Sequence, residues 1–287
     1  PSPSPSPSFS RRTLVEAAAA SLPVAGLGLG AAGVAEAFIP TAIVPRPLSF
    51  PDLPDDLAGL KILQLTDVHL GAFMDPSGVV DLVERARLEP PDLVVLTGDF
   101  CDHVPWLLPA LRAIETLDPR LGIYAVMGNH EHYRGALATR RAYAQTRIEL
   151  LDEAHRVLPI GSANLVVAGV DDPARARART EHYARAIDKA LSSSPSDAFR
   201  LGLCHRPSGF EALAGRGIDL TLSGHTHGAQ LGSGDRSLLE PLAEGAFLRG
   251  VYERGEKRLY TSSGAGHWLA FRLDCPSEAA LITLEKA

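Results

Sequence analysis

The stretch LSGHTHGAQ, residues 222–230, places two histidines one residue apart behind a glycine. It directly follows the apolar run IDLTL (218–222). Imidazole is polar and titrates near neutral pH, so a pair of them at the end of a buried strand suits either an exposed turn or a metal site. Four further stretches show the same arrangement. KILQLT (61–66) is followed by Asp67-Val68-His69, DLVVLT (92–97) by Gly98-Asp99, GIYAVM (122–127) by Gly128-Asn129-His130-Glu131, and FRLGLC (199–204) by His205. Five apolar runs each deliver Asp, Asn or His within the next few loop positions. Two carboxylates, an amide oxygen and several imidazoles form a mixed nitrogen and oxygen set. Such a set suits Mn²⁺, Zn²⁺, Fe²⁺ or Ni²⁺ better than Ca²⁺, which prefers oxygen throughout. In an extended segment residues i and i+2 point the same way, so Asp67 and His69 are expected to face one ion.

The elements that position these residues follow from hydrophobic periodicity. Short continuous apolar runs predict buried strands over 61–66, 92–97, 122–127, 164–170, 199–204 and 218–222, with two more over 257–263 and 278–286. Helical spacing predicts helices over 77–90, 104–117, 134–154, 181–193 and 208–217. Strand and helix alternate, which implies a layered α/β domain with its ligand crevice beyond the carboxyl ends of the strands. Periodicity alone fits a three-layer fold.

In order and type, D-V-H, G-D, G-N-H-E, a lone His after a strand and G-H-T-H resemble the motifs of the calcineurin-like metallophosphoesterases. The likeness runs from about Lys61 to Gln230. It implies an α/β fold of four layers, an αββα sandwich of two mixed sheets flanked by helices, with a dinuclear metal centre at one edge. Carried over residue by residue, Asp67, His69 and His227 bind a first divalent ion, and Asp99 bridges both ions. Asn129, His205 and His225 complete the second, and His130 is the catalytic histidine near the scissile phosphate. The implied activity is hydrolysis of a phosphoester by a metal-bound hydroxide, as a phosphodiesterase or pyrophosphatase at the cell envelope. The alternatives are a phosphomonoesterase and a non-catalytic metal-binding scaffold. The substrate is expected to be a phosphorylated small molecule or a lipid-linked phosphate. The layout most resembles the exported or membrane-associated bacterial branch, which includes YaeI- and YkuE-like phosphodiesterases and UDP-2,3-diacylglucosamine pyrophosphatases of the LpxG type. Ala229 departs from the GGQ that usually follows the second histidine.

The start of the chain reads as an address. PSPSPSPS is low-complexity and proline-rich. Arg11-Arg12, a mild Ala/Gly/Leu/Val run and Ala35-Glu36-Ala37 follow, resembling a twin-arginine export signal with an A-x-A cleavage site. Residues 1–46 are therefore expected to form a signal or membrane anchor, and residues 47–287 the catalytic domain. A net charge of −6 and only 6% aromatics give no basis for nucleic-acid binding. Cys101, Cys204 and Cys275 are too few and scattered for a disulfide framework. Among the remaining polar residues, His103, His132, His155, His182 and His267 read as surface or hydrogen-bonded groups. Asp102 reads as either a helix cap or a residue that orients a ligand. Asp171 and Asp172 fall outside the expected site, and the run RARART (175–180) reads as a solvated face. Trp106 reads as packing, and Trp268 as packing or a groove wall.

Overall fold

A computed structural model describes residues 10–174, 179–243, 245–267 and 269–287. The chain folds into two six-stranded sheets packed face to face, with helices on both outer faces. α1 (Arg11–Ala37) precedes β1 (Ala42–Phe50), β2 (Lys61–Leu65), α2 (Pro76–Ala86), β3 (Leu93–Thr97), α3 (Leu107–Glu115) and β4 (Ile123–Val126). α4 (Asn129–Tyr143), β5 (Glu149–Leu150), β6 (Ala154–Ile160), β7 (Ala163–Val170), α5 (Arg179–Ala190), β8 (Phe199–Cys204), α6 (Phe210–Ala214) and β9 (Leu220–Ser223) follow. A small hairpin of β10 (Gly232–Ser233) and β11 (Arg236–Ser237) precedes β12 (Gly250–Arg254), β13 (Lys257–Thr261) and β14 (Glu278–Lys286). The first sheet has the order β1-β14-β2-β3-β4-β5 and the second β12-β13-β9-β8-β7-β6.

Burial explains the layers. β3 and β4 are buried along their whole length, so their residues alternate between two apolar faces. Leu93, Val95 and Val126 face the second sheet, where they share a core with Val167, Leu201, Leu203 and Leu222. Val94, Leu96 and Ala125 face α2 and α3 on the outside. α2 shows how sequence makes a layer. Asp75 accepts the N–H groups of Ser77 and Gly78, and Pro76 starts the helix where its missing N–H costs nothing. Val79, Leu82, Val83 and Ala86 then form one buried stripe. α5 and α6 cover the outer face of the second sheet in the same way, around Tyr183, Ile187, Leu213 and Cys204. All three cysteines are free and buried.

Four departures from periodicity have physical causes. The helix expected over 134–154 ends at Tyr143 and is preceded, across a kink at Gly135, by a turn from Asn129 that Glu131 caps by reaching back to the Gly128 N–H. The remainder of that stretch supplies β5 and the first residue of β6, an edge strand held by pairing with β7 rather than by its own apolar pattern. β1 crosses the expected boundary between residues 46 and 47. It pairs in parallel with β14 over its whole length, and as an edge strand it tolerates Pro45 and Pro47. β12, the opposite edge, lacks a distinct apolar run for the same reason. No helix among the described residues is long and apolar enough to cross a membrane. Trp268 and residues 175–178 of the RARART run lie outside the described residues.

Candidate metal centre

Three of the five loops leave β2, β3 and β4 of the first sheet, and two leave β8 and β9 of the second. Within each sheet these strands run parallel, so the crevice forms where two carboxyl edges meet rather than along one. Side chains tie the edges together. His205 Nδ1 lies 2.9 Å from the Thr97 carbonyl, and the Gln64 amide donates to Thr97 Oγ1 and to the Ser223 carbonyl.

The loops are not extended. Asp67, His69, Asp99, His225 and His227 all have left-handed backbone, with φ between 49° and 71°. The alternation argument for Asp67 and His69 therefore fails. Their side chains converge because two left-handed residues flank Val68, and backbone bonds hold them there: Asp67 N–H donates to the Gly98 carbonyl and His69 N–H to that of Asp99. Left-handed non-glycine residues cost about 1–3 kcal/mol each and persist only where surroundings over-determine them. Gly224 shows how tight these surroundings are. A Cβ there would lie 1.9 Å from Asp67 Oδ2, so only glycine lets the β9 loop approach the carboxylate, which accepts the His225 N–H.

The structure brings Asp67, His69 and His227 into one buried group. Nε2 of His69 and Nε2 of His227 are 3.1 Å apart, and Asp67 Oδ1 is 3.9 Å and 3.4 Å from them. Ligand atoms held about 2.0–2.2 Å from one ion would lie about 3.0–3.6 Å from each other. The two distances to His227 fall in that range and the Asp67–His69 distance is slightly longer, so a small contraction would seat a shared cation. Asp99, His205 and His225 form a second group, with Asp99 Oδ2 3.1 Å from His205 Nε2. Asn129 begins α4 beside them, since the next N–H, that of His130, donates to Asp99 Oδ1 at 2.8 Å. Asn129 Oδ1 is buried and has no hydrogen-bond partner among the described residues. Such an orphaned acceptor is costly unless something electropositive meets it. The two histidines of GHTH thus serve different groups despite their equal spacing.

The electrostatics fit the same reading. Burial raises the Asp67 carboxyl pKa, opposed by His205 and reinforced by the charge of Asp99. Burial also works against the Asp99 carboxylate, yet His205, His69 and His130 hold it well below the usual range. His205 resists charging because it is buried, but Asp99 pushes its pKa up to about 10. Burial, with His69 and Arg272, drives His227 well below its ordinary value. Protons thus balance the carboxylates here, and divalent cations would do the same without protonating the imidazoles.

His130 stands beside both groups and forms a third acid–histidine cluster with His69 and Asp102. Its Nδ1 is 2.6 Å from Asp102 Oδ1, and its Nε2 is 3.9 Å from Asp99 Oδ2. Burial opposes protonation of the ring, but Asp102 and Asp99 raise its pKa overall. The other Asp102 oxygen is 3.1 Å from His69 Nδ1, and Arg134 Nε donates to Oδ1 at 3.2 Å. Asp102 therefore orients two histidines; the short helical turn at Val104–Trp106 receives no side-chain cap. Next to His130 and His69 opens a groove of about 590 Å³, walled by Phe73, Trp106, Arg134 and His267. Trp106 thus lines the groove while it also packs against the core under α3. Of the other histidines, His103 also lines this groove. His132 is bound to Asp171, while His155 and His182 meet the carbonyls of Ala190 and Asp171.

Two functional positions are not evident from residue type. Glu131 is fully buried and accepts the backbone N–H groups of Asp99, Phe100, Cys101 and Gly128. Burial and the neighbouring Asp99 charge raise its pKa, and the backbone donors oppose that rise. It fastens the β3 loop to the β4 loop. Its sequence signal is its place three residues after Gly128 at a helix start. Arg206 is the other. Its Nε donates to Asp172 Oδ2 at 2.6 Å, and its Nη1 lies 2.9 Å from His225 Nε2. Asp172 thus supports the site through Arg206 while standing outside both groups, and the only signal for Arg206 is its place directly after His205.

The match to known proteins covers the same residues. The family model described as calcineurin-like phosphoesterase matches residues 60–229, from the start of β2 to the end of the GHTH loop. An uncharacterized metallophosphoesterase of Helicobacter pylori is 34% identical over 230 residues, which is 78% of this chain and 60% of that protein. A transmembrane protein with metallophosphoesterase domain from Danio rerio is 30% identical, over 89% of this chain and 60% of that protein. The chain therefore spans about 60% of the length of these two relatives. A solved structure, TT1561 of Thermus thermophilus, shares the fold with a TM-score of 0.50 at 11% identity, covering 72% of this chain and 90% of that one. Two sheets that aim five acid- and histidine-bearing loops at one crevice, over the span that the family model matches, place this chain in the calcineurin-like phosphoesterase family.

Proposed function

We propose that the protein hydrolyses phosphodiesters or pyrophosphates with two divalent ions, Mn²⁺, Zn²⁺ or Fe²⁺ being suited to the donor set. Asp67, His69 and His227 would hold one ion and Asn129, His205 and His225 the other, with Asp99 shared. When bound there, such ions supply Lewis-acid charge and a nucleophilic water at neutral pH. The chain's own residues do the rest. Asp102 fixes the His130 ring through Nδ1, which leaves Nε2 to donate a proton to the departing oxygen. Arg134, on the groove wall, offers a cation to a second anionic group of the substrate.

The observation that carries the reading is the presence of two acid–histidine groups joined by His130, which with His69 of the first group lines one groove. The groove's size supports a substrate with a substituent on each side of the phosphate, which favours a diester or pyrophosphate over a monoester. Hydrolysis of bis-p-nitrophenyl phosphate, p-nitrophenyl phosphate and a UDP-sugar lipid after chelation and Mn²⁺ return tests it. Metal-restored activity on the first or third substrate is expected; preference for the monoester would move the assignment to a phosphomonoesterase. Activity on none of them, with metal bound, would favour a scaffold role.

We further propose that the protein acts at the cell envelope, exported or membrane-associated, with a lipid-linked phosphate among its candidate substrates. Arg11-Arg12, the uncharged run 17–35 and the exposed Leu22, Val24, Leu27 and Leu29 of α1 support it. Fractionation of the full chain tests this: recovery only in the cytosol would overturn it.

A further inference from the structure

Arg272 is the largest fully buried side chain among the described residues, at 0% exposure, and its hydrogen bonds there reach no carboxylate. Its guanidinium instead donates to backbone carbonyls: Nη1 to Cys275 at 2.8 Å, and Nη2 to Ser263 at 2.9 Å and Gly266 at 2.6 Å. Two of those carbonyls, of Ser263 and Gly266, belong to the loop that closes behind Asp67 and His227. Ala265 N–H donates to the Thr66 carbonyl, and Gly266 N–H to that of Asp67. Gly264 lies so close that a Cβ there would be 2.8 Å from Asp67 Cβ and 3.3 Å from His227 Nδ1. Gln230 completes the frame, its amide donating to the Leu269 and Phe271 carbonyls and its own carbonyl accepting the Leu273 N–H. A buried cation costs too much to be idle filler, and a planar fork of donors can hold several carbonyls of one loop at once.

The end of α1 closes over this clamp. Arg272 N–H donates to the Gly33 carbonyl at 2.8 Å, and the Glu36 carboxylate accepts the N–H groups of Asp274 and Cys275. Ala37 is buried, and Thr41 Oγ1 donates to the Ala265 carbonyl at 2.6 Å. The A-x-A segment 35–37 is thus packed against the catalytic domain.

We propose that Arg272 is a positioning residue for the first metal-binding half, and that Gly33–Ala37 are a retained part of its clamp. The inference rests on the two-ion reading above. Arg272→Met in the full chain is expected to bind the first ion about 10–100-fold more weakly, the range for outer partners of metal ligands. The second ion should bind as before, and kcat should fall more than KM rises. Arg272→Lys, which keeps the charge but loses the fork, decides the matter if the Met variant does not fold. It should recover only part of the affinity. Glu36→Ala should weaken the first ion several-fold, and mass spectrometry of the exported chain should find Ala35–Ala37 present. Ion affinities read by calorimetry separate this from a merely structural role, which would lower Tm alone. Unchanged first-ion affinity in the Lys variant overturns the clamp, and cleavage after Ala37 overturns the part played by α1. A wild-type chain that binds two ions yet hydrolyses no phosphoester sinks the proposed activity and leaves the clamp standing on its affinities. One that binds none sinks both.

Discussion

Asp67, His69 and His227 sit on loops framed mainly by backbone, with Asp102 on the His69 ring, whereas the Asp99 loop and His225 are tied by the charged side chains of Glu131 and Arg206. Around the first three, the 262–267 loop supplies N–H groups and close glycines, and Arg272 grips that loop without touching a proposed ligand. Around the second four, Glu131 gathers the N–H groups of the Asp99 loop, and Arg206 joins His225 to Asp172. His225 is also partly exposed, while the first three are buried. A frame of backbone bonds is less sensitive to charge, and its weak point is the one buried cation, Arg272, that grips it. Frames of ionised side chains fail when one partner goes, because the other is left buried and unpaired. The second half should therefore be the one that chelation and pH disturb first, with Arg272 the substitution outside the ligands that loosens the first.

The largest effect should come from the residue placed between the halves. Asp99→Ala is expected to reduce turnover to the metal-free background and metal content from two ions to one or none. Elemental analysis and a diesterase assay check this; retention of two ions with full turnover would break the comparison. His130→Ala should leave both ions bound but lower kcat about 10²–10⁴-fold, the usual worth of a positioned proton donor. Loss of an ion instead would make His130 a ligand. Arg206→Gln should weaken the second ion about 10–100-fold and leave the first unchanged. Equal losses in both halves would mean that the halves are not independently framed.

pH sharpens the contrast. Burial works against a charged His205, yet Asp99 raises its pKa from 6.5 to about 10, so in the metal-free chain its protonated form stabilises the fold. That contribution is complete below about pH 6.5 and is lost as pH rises towards 10. Metal-free Tm should fall across this window, and saturating metal should remove the dependence. A Tm of the metal-free chain that is flat from about pH 6.5 to about 10 would contradict the proposed charge balance. The smallest expected effect is in the first half. Ala229 has φ of 54°, a conformation that costs an alanine about 1–2 kcal/mol. Ala229→Gly should raise stability by up to about 1 kcal/mol, after glycine's own entropy cost, with ion affinities unchanged.

How much of this is legible in the sequence depends on what kind of residue carries it. The parallel core strands β2, β3, β4, β8 and β9 announce themselves as continuous apolar runs because both faces are buried. The edge strands β1, β6 and β12 do not, since pairing rather than periodicity holds them. The seven candidate ligands and His130 are legible because acids and histidines at strand ends have few structural uses. Alternation brings Asp67 and His69 together for an incorrect reason, since left-handed backbone is invisible to such a rule. Glu131 has a local signal only for its cap on Gly128; its bonds to the Asp99 loop, and those of Arg206 and Arg272, join loops through contacts that no local spacing reports.

The most direct test is a titration of metal-stripped chain with Mn²⁺ that counts bound ions while following hydrolysis of bis-p-nitrophenyl phosphate. Two ions of unequal affinity should bind, the tighter in the backbone-framed half, and activity should appear with the second. Activity that is complete with one ion, or that survives metal removal, would contradict the account.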